Sequence, residues 1–401
     1  MRSIGVPILL IAAALLLSGL SACGTVSLTE LYPTVTPSVA PTSTAAPAAM
    51  PTPTLTPTAT STDTPTAPPT DTPVPTPTPT ATHTPASTAT VTQTPPPPPV
   101  ATLNPSGQVG LGLYAEPPDG DLLGAVYQFE RLVRHKMRYV LWFQAWGDGD
   151  RDFDAERIIA AHRMGLIPVI TWEPWARDFQ NPAATQPAYA LATIAAGDHD
   201  AYLRAWAQAA RELNRSFIIR FAHEQSTQVG VRSWYPWQGD PEGYRAAFRH
   251  IVAIFREENA QTVEFLWSGM WLHESGQLYY PGDDVVDWVG TTVLNHGSEI
   301  AAEWAAWRTF DELFAVQYQA AAQWGKPMMI TELATAEQGG DKAAWLRDCF
   351  SALAPQYPLV RGVLLLEVAQ DREWPSINWS VASSPESLAA FRVAVADPHF
   401  K

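Results

Sequence analysis

The chain has 401 residues, of which 40 are acidic and 25 basic, giving a formal net charge of −15. The acidic excess lies after residue 107. It argues against nucleic acid or an anionic polysaccharide as ligand, whereas a neutral glycan fits it. Most of the 37 prolines precede residue 107, so the composition separates a proline-rich region from a part that can bury a core.

The first residues have the pattern of an export signal. Arg2 supplies a positive charge, and residues 4–17 are mostly apolar, a run too short to predict a membrane span. The segment Leu20-Ser21-Ala22-Cys23 resembles the bacterial lipoprotein cleavage box. The resemblance implies removal of residues 1–22, a lipid on Cys23, and a cell-surface protein that meets the membrane only through that lipid. An ordinary secretory signal is the alternative.

Residues 23–106 are predicted to be a disordered linker. They are dominated by Pro, Thr, Ala and Ser and include five consecutive prolines at 95–99. Such a segment buries too little apolar surface to offset the entropy of ordering. Its prolines favour an extended polyproline spacer of about 3 Å per residue. The layout is that of a lipid, a stalk and one folded domain, which we expect to be monomeric.

Residues 107–401 are predicted to form one (β/α)8 TIM barrel. Eight short apolar runs are predicted strands, at residues 109–113, 139–143, 167–172, 217–221, 263–267, 285–290, 327–331 and 362–366. Helical patterns separate most of them, whereas the segment between the fifth and sixth reads mostly as loop. Eight strand–helix repeats favour a closed parallel barrel, with a doubly wound open sheet as the alternative.

Apolar stripes with helical spacing support this alternation. Three are evident: Leu122, Val126, Phe129 and Val133; Tyr202, Trp206, Ala209 and Leu213; and Tyr244, Phe248, Ile251 and Phe255. Two helix starts are also marked, because Asp240-Pro241 and Ser384-Pro385 each place a capping side chain before a proline.

Two predicted strands end on a glutamate, and this pair indicates catalysis. Glu224 follows the fourth strand and Glu332 the seventh. Both therefore belong to the face of the barrel that carries active sites. Two carboxyl groups about 5–5.5 Å apart serve retaining glycosidases as nucleophile and acid/base. We assign Glu332 as the nucleophile and Glu224 as the acid/base; a solvated loop carboxylate is the alternative for either alone.

Aromatic residues near the strand ends predict a glycan groove, because sugar rings present apolar faces to indole and phenol rings. The candidates are Tyr114, Trp172, Trp234, Trp237, Trp267 and Trp374. Core packing is the alternative for any one of them. His223 is expected to contact the sugar or to position its neighbours.

Several motifs in order resemble glycoside hydrolase family 26. They are Ile-Thr-Trp-Glu-Pro at 170–174, His-Glu at 223–224 followed by Trp-Tyr-Pro-Trp at 234–237, Tyr-Pro-Gly-Asp-Asp at 280–284, Asp-Trp-Val-Gly at 287–290 and Ile-Thr-Glu at 330–332. The resemblance spans nearly all of residues 107–401. It implies a clan A barrel, most often an endo-β-1,4-mannanase and otherwise a β-1,3-xylanase or mixed-linkage glucanase. It assigns acid/base to Glu224 and nucleophile to Glu332.

Two departures from that family concern residues expected near the sugar. Gln225-Ser226-Thr227 stands where the family often has Met-Asn-Gly, and Leu294-Asn295-His296 replaces a segment that often holds a tyrosine. His296 could supply the hydrogen bond of the missing phenol. These changes keep open a non-catalytic or weakly active glycan-binding lipoprotein and an exopolysaccharide-processing hydrolase.

The sequence predicts no metal and no cofactor. A zinc-protease helix beginning at His223-Glu224 would need a second histidine at position 227, which is Thr227. No phosphate-binding glycine loop follows a predicted strand, and no serine-nucleophile elbow stands out.

Overall fold

The computed structural model describes residues 108–149, 151–226, 234–300 and 305–401. Cys23, the predicted leader and the whole predicted linker lie outside these residues, as does Thr227. No helix in the described part of the chain is both long and apolar enough to cross a bilayer.

The described residues form a closed barrel of eight parallel strands in chain order, with β1 paired to β8. The predicted TIM barrel is therefore confirmed, and the open sheet is excluded. The strands are β1 Gly110–Ala115, β2 Tyr139–Ala145, β3 Ile167–Glu173, β4 Phe217–Phe221, β5 Val263–Gly269, β6 Trp288–Asn295, β7 Met328–Thr335 and β8 Val360–Glu367.

Helices cover the outside of the barrel. They are α1 Leu122–Val133, α2 Ala155–Arg163, α3 Leu191–Ala196, α4 Asp200–Leu213, α5 Pro241–Glu257, α6 Phe310–Ala322, α7 Lys342–Gln356 and α8 Pro385–Ala394. The predicted loop between the fifth and sixth strands holds only a short 3-10 helix, Glu274–Tyr279.

The predicted helix starts are confirmed. Asp240 accepts a hydrogen bond from the Gly243 amide at the start of α5, and Ser384 accepts one from Ser387 at the start of α8. The stripes predicted for α1 and α5 are buried. The stripe on α4 is displaced, because its buried face centres on Leu203, Trp206, Ala207 and Ala210.

The predicted bounds of the sixth strand are wrong. The strand β6 begins at Trp288 and continues to Asn295, whereas Val285 lies in a turn where its amide donates to the carbonyl of Gly282. The Asp287 side chain accepts from the backbone amide of Phe265, which lies within the neighbouring strand β5. Apolar residues of a buried turn gave the same local pattern as a strand.

Alternation along each strand separates two apolar layers. Residues from seven strands fill the barrel interior: Tyr139, Leu141, Ile167, Val169, Ile218, Leu266, Trp288, Met329 and Leu364. Alternate residues such as Ile170, Ile219 and Phe265 pack outward with the helices. Because successive side chains point to opposite faces, Arg220 shares the inner face with Ile218. Whether a residue falls on the inner or the outer face of its strand, which we call its parity, therefore decides whether its side chain reaches the mouth.

We expect Gly112→Ala to lower the free energy of unfolding by about 1–3 kcal/mol, because overpacking a tight core costs this much. A Cβ at residue 112 would stand 2.6 Å from atoms of Tyr139 and Leu364, and one of them is a backbone oxygen. Urea unfolding followed by tryptophan fluorescence measures the change. Gly149→Ala is the matched control, since a Cβ there meets nothing within 4 Å. Equal unfolding midpoints in both variants would contradict the packing.

Candidate active site

Glu224 and Glu332 come together at the C-terminal mouth of the barrel. Glu224 lies three residues beyond β4 in a turn with a positive φ of 51°, and its amide donates to the carbonyl of Ser268 at 2.9 Å. Glu332 lies within β7, which is longer than predicted, at an irregularity in the pairing with β8 between Ile330 and Leu333. Irregular pairing re-aims side chains, and Glu332 here faces the interior network.

A buried arginine connects the two carboxyl groups. Arg220 is fully buried, and its Nη1 donates to Oε1 of Glu332 at 2.7 Å. Its Nη2 lies 3.4 Å from the Thr292 hydroxyl, which itself donates to Oε1 of Glu224 at 2.6 Å. The two glutamates thus share one hydrogen-bonded bridge. A charged group of this kind is stable inside a protein only when it is paired.

Hydroxyl groups of the inner face hold the guanidinium in place. Its Nε donates to Ser268 at 3.1 Å, and Nη1 lies 3.5 Å from the Thr171 hydroxyl. Ser268 in turn lies 3.2 Å from the hydroxyl of Thr331. Hydroxyl groups of β3 and β5, the two strands that flank β4, therefore orient the arginine and, through it, Glu332, and Thr331 of β7 supports Ser268.

The environment of Glu224 favours its protonated form. Burial raises the pKa of Glu224 to about 7, and the negative charge of Glu332 acts in the same direction. Arg220 and the Thr292 hydroxyl oppose the rise in this pKa, because they stabilise the carboxylate. A buried carboxylic acid beside a second carboxyl group can donate a proton near neutral pH.

A third carboxyl group, at the end of β3, was not predicted as a site residue. Burial raises the pKa of Glu173 to about 7, against the lowering effect of Arg177. The Nε of Arg177 donates to Glu173 at 3.1 Å and its Nη1 to Asp148 at 3.0 Å. Nδ1 of His223 lies 3.7 Å from Oε1 of Glu173, so Glu173 borders the wall that carries Glu224.

His223 packs in an aromatic wall below Glu224. Its Nε2 lies 3.0 Å from the Tyr235 hydroxyl, and the edge of Phe143 meets its ring at 5.3 Å. Burial lowers the pKa of His223 well below its usual value, so the imidazole is neutral at pH 7. Its side chain is 2% exposed, which fits the predicted positioning role better than a broad sugar contact.

Four of the predicted substrate-binding residues are half-buried at the rim. Trp374 meets Trp234 edge-to-face at 6.1 Å and His296 at 5.4 Å. Burial lowers the pKa of His296 to about 4, so this side chain is also neutral at pH 7. The Tyr114 hydroxyl donates to Glu116 at 2.5 Å; burial raises the pKa of Tyr114, and the charge of Glu332 acts weakly in the same direction.

The prediction of a sugar contact is wrong for Trp172 and Trp267, which are fully buried. Trp172 packs on Trp206 at 4.6 Å, and Trp267 meets Trp324 at 5.0 Å. Both rings therefore lie between the strands and the helices. Their strand parity points them outward, which the strand-end criterion alone did not consider.

Trp237 is also no sugar platform, because it is 2% exposed. Its ring stacks on Tyr235 at 4.6 Å, and its Nε1 donates to the carbonyl of His223 at 2.8 Å. It holds the backbone that precedes Glu224.

Two of the residues that depart from the family pattern face the scaffold and not the mouth. The Ser226 hydroxyl donates to the carbonyl of Trp271 at 2.6 Å. Gln225 is fully buried; with its amide oriented to satisfy its neighbours, it donates to the carbonyl of Ser268 and accepts from Nε1 of Trp267. The expectation that these two side chains touch the sugar is therefore corrected. They join the turn after β4 to β5.

Sequence reasoning missed Arg220, Thr292 and Glu173 as site residues. Strand parity was the available signal for two of them: Arg220 lies two residues after the inward Ile218, and Glu173 lies four after the inward Val169. Nothing local marked Thr292, since its role depends on pairing across β6 and β7. Among the described residues, no group of three His, Cys, Asp or Glu side chains is arranged to hold a metal ion.

Comparisons with known proteins agree with this fold. No family model matches the sequence. A 285-residue match covering 68% of the chain is 32% identical to endoglucanase H of Acetivibrio thermocellus and covers 29% of that protein. A 149-residue match covering 35% of the chain is 30% identical to the β-1,3-xylanase TXYA of a Vibrio species and covers 28% of it. The chain thus spans less than a third of the length of these relatives.

A solved structure extends the likeness over the barrel. It is a modular endo-β-1,4-mannanase from Cellulomonas fimi, described together with the product specificity of glycoside hydrolase family 26 mannanases. It is 17% identical with a TM-score of 0.51, over 73% of this chain and 72% of that one. At this identity the match bears on the fold. The resemblance of the chain to glycoside hydrolase family 26 is confirmed.

We expect Thr292→Val to raise the pKa of Glu224 by about one unit, because its hydroxyl stabilises the carboxylate and not the acid. A 13C NMR titration of the carboxyl groups measures this pKa, with Glu224→Gln assigning the resonance. Thr291→Val is the matched control, since the Thr291 hydroxyl donates to the carbonyl of Met270. An unchanged Glu224 pKa in Thr292→Val would contradict the bridge.

Proposed function

We propose that the barrel is a retaining β-glycanase that hydrolyses a neutral polysaccharide, with Glu332 as nucleophile and Glu224 as acid/base. The observation that supports this most directly is the bridge through Arg220 and Thr292, which joins the two carboxyl groups at one mouth. A retaining mechanism needs one ionised and one protonated carboxyl group facing the same anomeric carbon.

In the first step, Glu332 attacks the anomeric carbon while Glu224 gives its proton to the departing glycosidic oxygen. Because Arg220 donates to Oε1 of Glu332, we assign the attack to Oε2. The contact fixes the orientation of Glu332. The products of the step are a glycosyl ester on Glu332, a released sugar hydroxyl and an ionised Glu224.

In the second step, Glu224 accepts a proton from the water that attacks the ester. Esterification removes the negative charge of Glu332, which is one cause of the raised pKa of Glu224. The pKa of Glu224 therefore falls once the intermediate has formed, and the residue is suited to act as a base. Two inversions at the anomeric carbon give a product with the configuration of the substrate.

The substrate class is a neutral β-glycan, and β-1,4-mannan is the first candidate. The net charge of −15 disfavours polyanions, and the matched solved structure is named as an endo-β-1,4-mannanase. The relatives are named as an endoglucanase and a β-1,3-xylanase, so β-glucan and β-1,3-xylan are the next candidate substrates. We infer endo action from the same names.

We expect Glu224→Gln to lower turnover of polysaccharide by about 10²–10⁴-fold, the usual contribution of an acid/base group. Glu332→Gln should abolish it, because no glycosyl ester can form. Reducing ends released from mannan, β-1,3-xylan, lichenan and cellulose measure turnover, and 1H NMR of the first product anomer tests retention.

In the active wild type, kcat/KM should fall as pH rises through about 7, where Glu224 loses its proton.

Glu274→Gln is the matched control, as an exposed glutamate in the loop after β5. An aryl glycoside with a good leaving group should partly spare the first step of Glu224→Gln, and added azide should then give a glycosyl azide. Release of the inverted anomer, or absence of hydrolysis of every glycan by the wild type, would overturn the proposal.

We also propose that the domain is held at the cell surface by a lipid on Cys23, the first residue of the predicted linker. The support is the Leu-Ser-Ala-Cys segment at 20–23. Radiolabelled palmitate should enter the wild-type chain and not Cys23→Ser, and the variant should appear in the medium. Equal labelling of both chains would contradict the anchor.

A further inference from the structure

The loop that follows β8 crosses the mouth of the barrel, and this bears on how the proposed glycanase admits its substrate. Asp371 organises the loop: its carboxylate accepts from the backbone amide of Trp374 and from Nε1 of Trp379, at 2.8 and 2.7 Å. The amide of Trp379 donates to the carbonyl of Val368 and closes the loop on itself. The tip is therefore a preorganised unit.

The C-terminal end of the loop is anchored to the scaffold. Nζ of the buried Lys342 donates to the carbonyls of Asn378 and Ser380, at 3.2 and 2.8 Å. Glu367, the last residue of β8, accepts from the amide of Val381 at 2.8 Å. The loop is therefore anchored at its C-terminal end and tied internally, and it presents the Arg372 side chain at the rim of the mouth.

Arg372 at the tip contacts the loops after β1 and β3. Its Nη2 lies 3.0 Å from Oε1 of Glu116, and its guanidinium lies 4.0 Å from the ring centroid of Phe179. The strands β1 and β3 flank β2 in the barrel. The contact therefore spans the sector of the mouth above β1 and β2. We call the set Glu116, Phe179 and Arg372 the clasp.

The same tip reaches toward the other side of the mouth. Trp374 meets Trp234, which follows β4, at 6.1 Å. In a ring of eight strands, β4 is opposite β8. Beneath this span, Glu224 is 7% exposed and the side chain of Glu332 is 12% exposed. The loop therefore spans the mouth on the side where both carboxyl groups are little exposed.

We propose that Arg372 is a specificity-determining residue: the closed clasp blocks the cleft above β1 and β2, so that chain ends and short oligosaccharides bind directly, whereas an internal segment of a polysaccharide binds only when the clasp opens. The inference rests on the proposed glycanase activity. It concerns which part of a glycan chain is admitted, and not the bond-breaking step.

The contacts of the clasp are suited to opening. The side chains of Arg372 and Glu116 are 56% and 39% exposed, and Phe179 is 50% exposed. Exposed ion pairs contribute little to stability, because water competes with them and salt screens them. The stacking of a guanidinium on an aromatic ring adds modestly at an exposed position. A polysaccharide whose own contacts with these residues replace the clasp contacts can therefore open the clasp.

The test compares a polysaccharide with a small substrate in the full chain. Arg372→Ala and Phe179→Ala should each increase internal cleavage, seen as a several-fold greater loss of viscosity per reducing end released from soluble mannan. Turnover of an aryl β-mannobioside should stay within about two-fold of wild type, because on this proposal a short substrate binds without opening of the clasp. Arg347→Ala on the exposed face of α7 is the matched control and should match wild type in both assays.

The outcomes separate this inference from the proposed function. Hydrolysis of both substrates with an unchanged viscosity ratio in Arg372→Ala and Phe179→Ala would overturn the clasp and leave the glycanase intact. Absence of hydrolysis by the wild type would overturn the proposed function. In the wild type, 0.5 M NaCl should also raise the loss of viscosity per reducing end by screening the Arg372–Glu116 pair. A value independent of salt would count against the role of this ion pair in the clasp.

Discussion

The arrangement of the mouth depends on one buried cation. Arg220 is fully buried, and its guanidinium is oriented by hydroxyl groups from neighbouring strands before it meets Glu332. Without a carboxylate partner, a charge in this position would carry a large desolvation cost. The fold and the pair of glutamates are therefore coupled, because the strands that close the barrel also supply the groups that stabilise the arginine, and the arginine orients Glu332.

The sequence predicted the architecture well because its signals are local. Each of these signals, the apolar runs, the helical stripes and the capping residues Asp240 and Ser384, depends on a few consecutive residues. For seven of the eight strands, the predicted first residue lies within about two residues of the observed one. The sixth was displaced, because Val285 and Val286 are buried in a turn and not in a strand. Local hydrophobicity does not distinguish these two settings.

The site was predicted less completely, since its chemistry depends on contacts between distant strands. Glu224 and Glu332 were identifiable from their positions relative to apolar runs. The bridge between them joins residues 68 to 112 positions apart, and no local pattern reveals it. The tryptophans show the opposite error: Trp172 and Trp267 lie at strand ends, but their parity turns them toward the helices. A strand position needs both its end and its face before a side chain can be assigned.

The buried acids have a consequence for the pH at which the domain is most stable. Burial raises the pKa values of Glu173, Glu224 and Glu367 to about 7, from 4.5 in an unfolded chain. Between these values the folded state binds more protons than the unfolded state, so the free energy of unfolding decreases as pH rises. Their contribution is fully present below pH 4.5 and is lost by about pH 7. A mildly acidic medium would therefore favour persistence of the fold, and alkaline surroundings would shorten its lifetime.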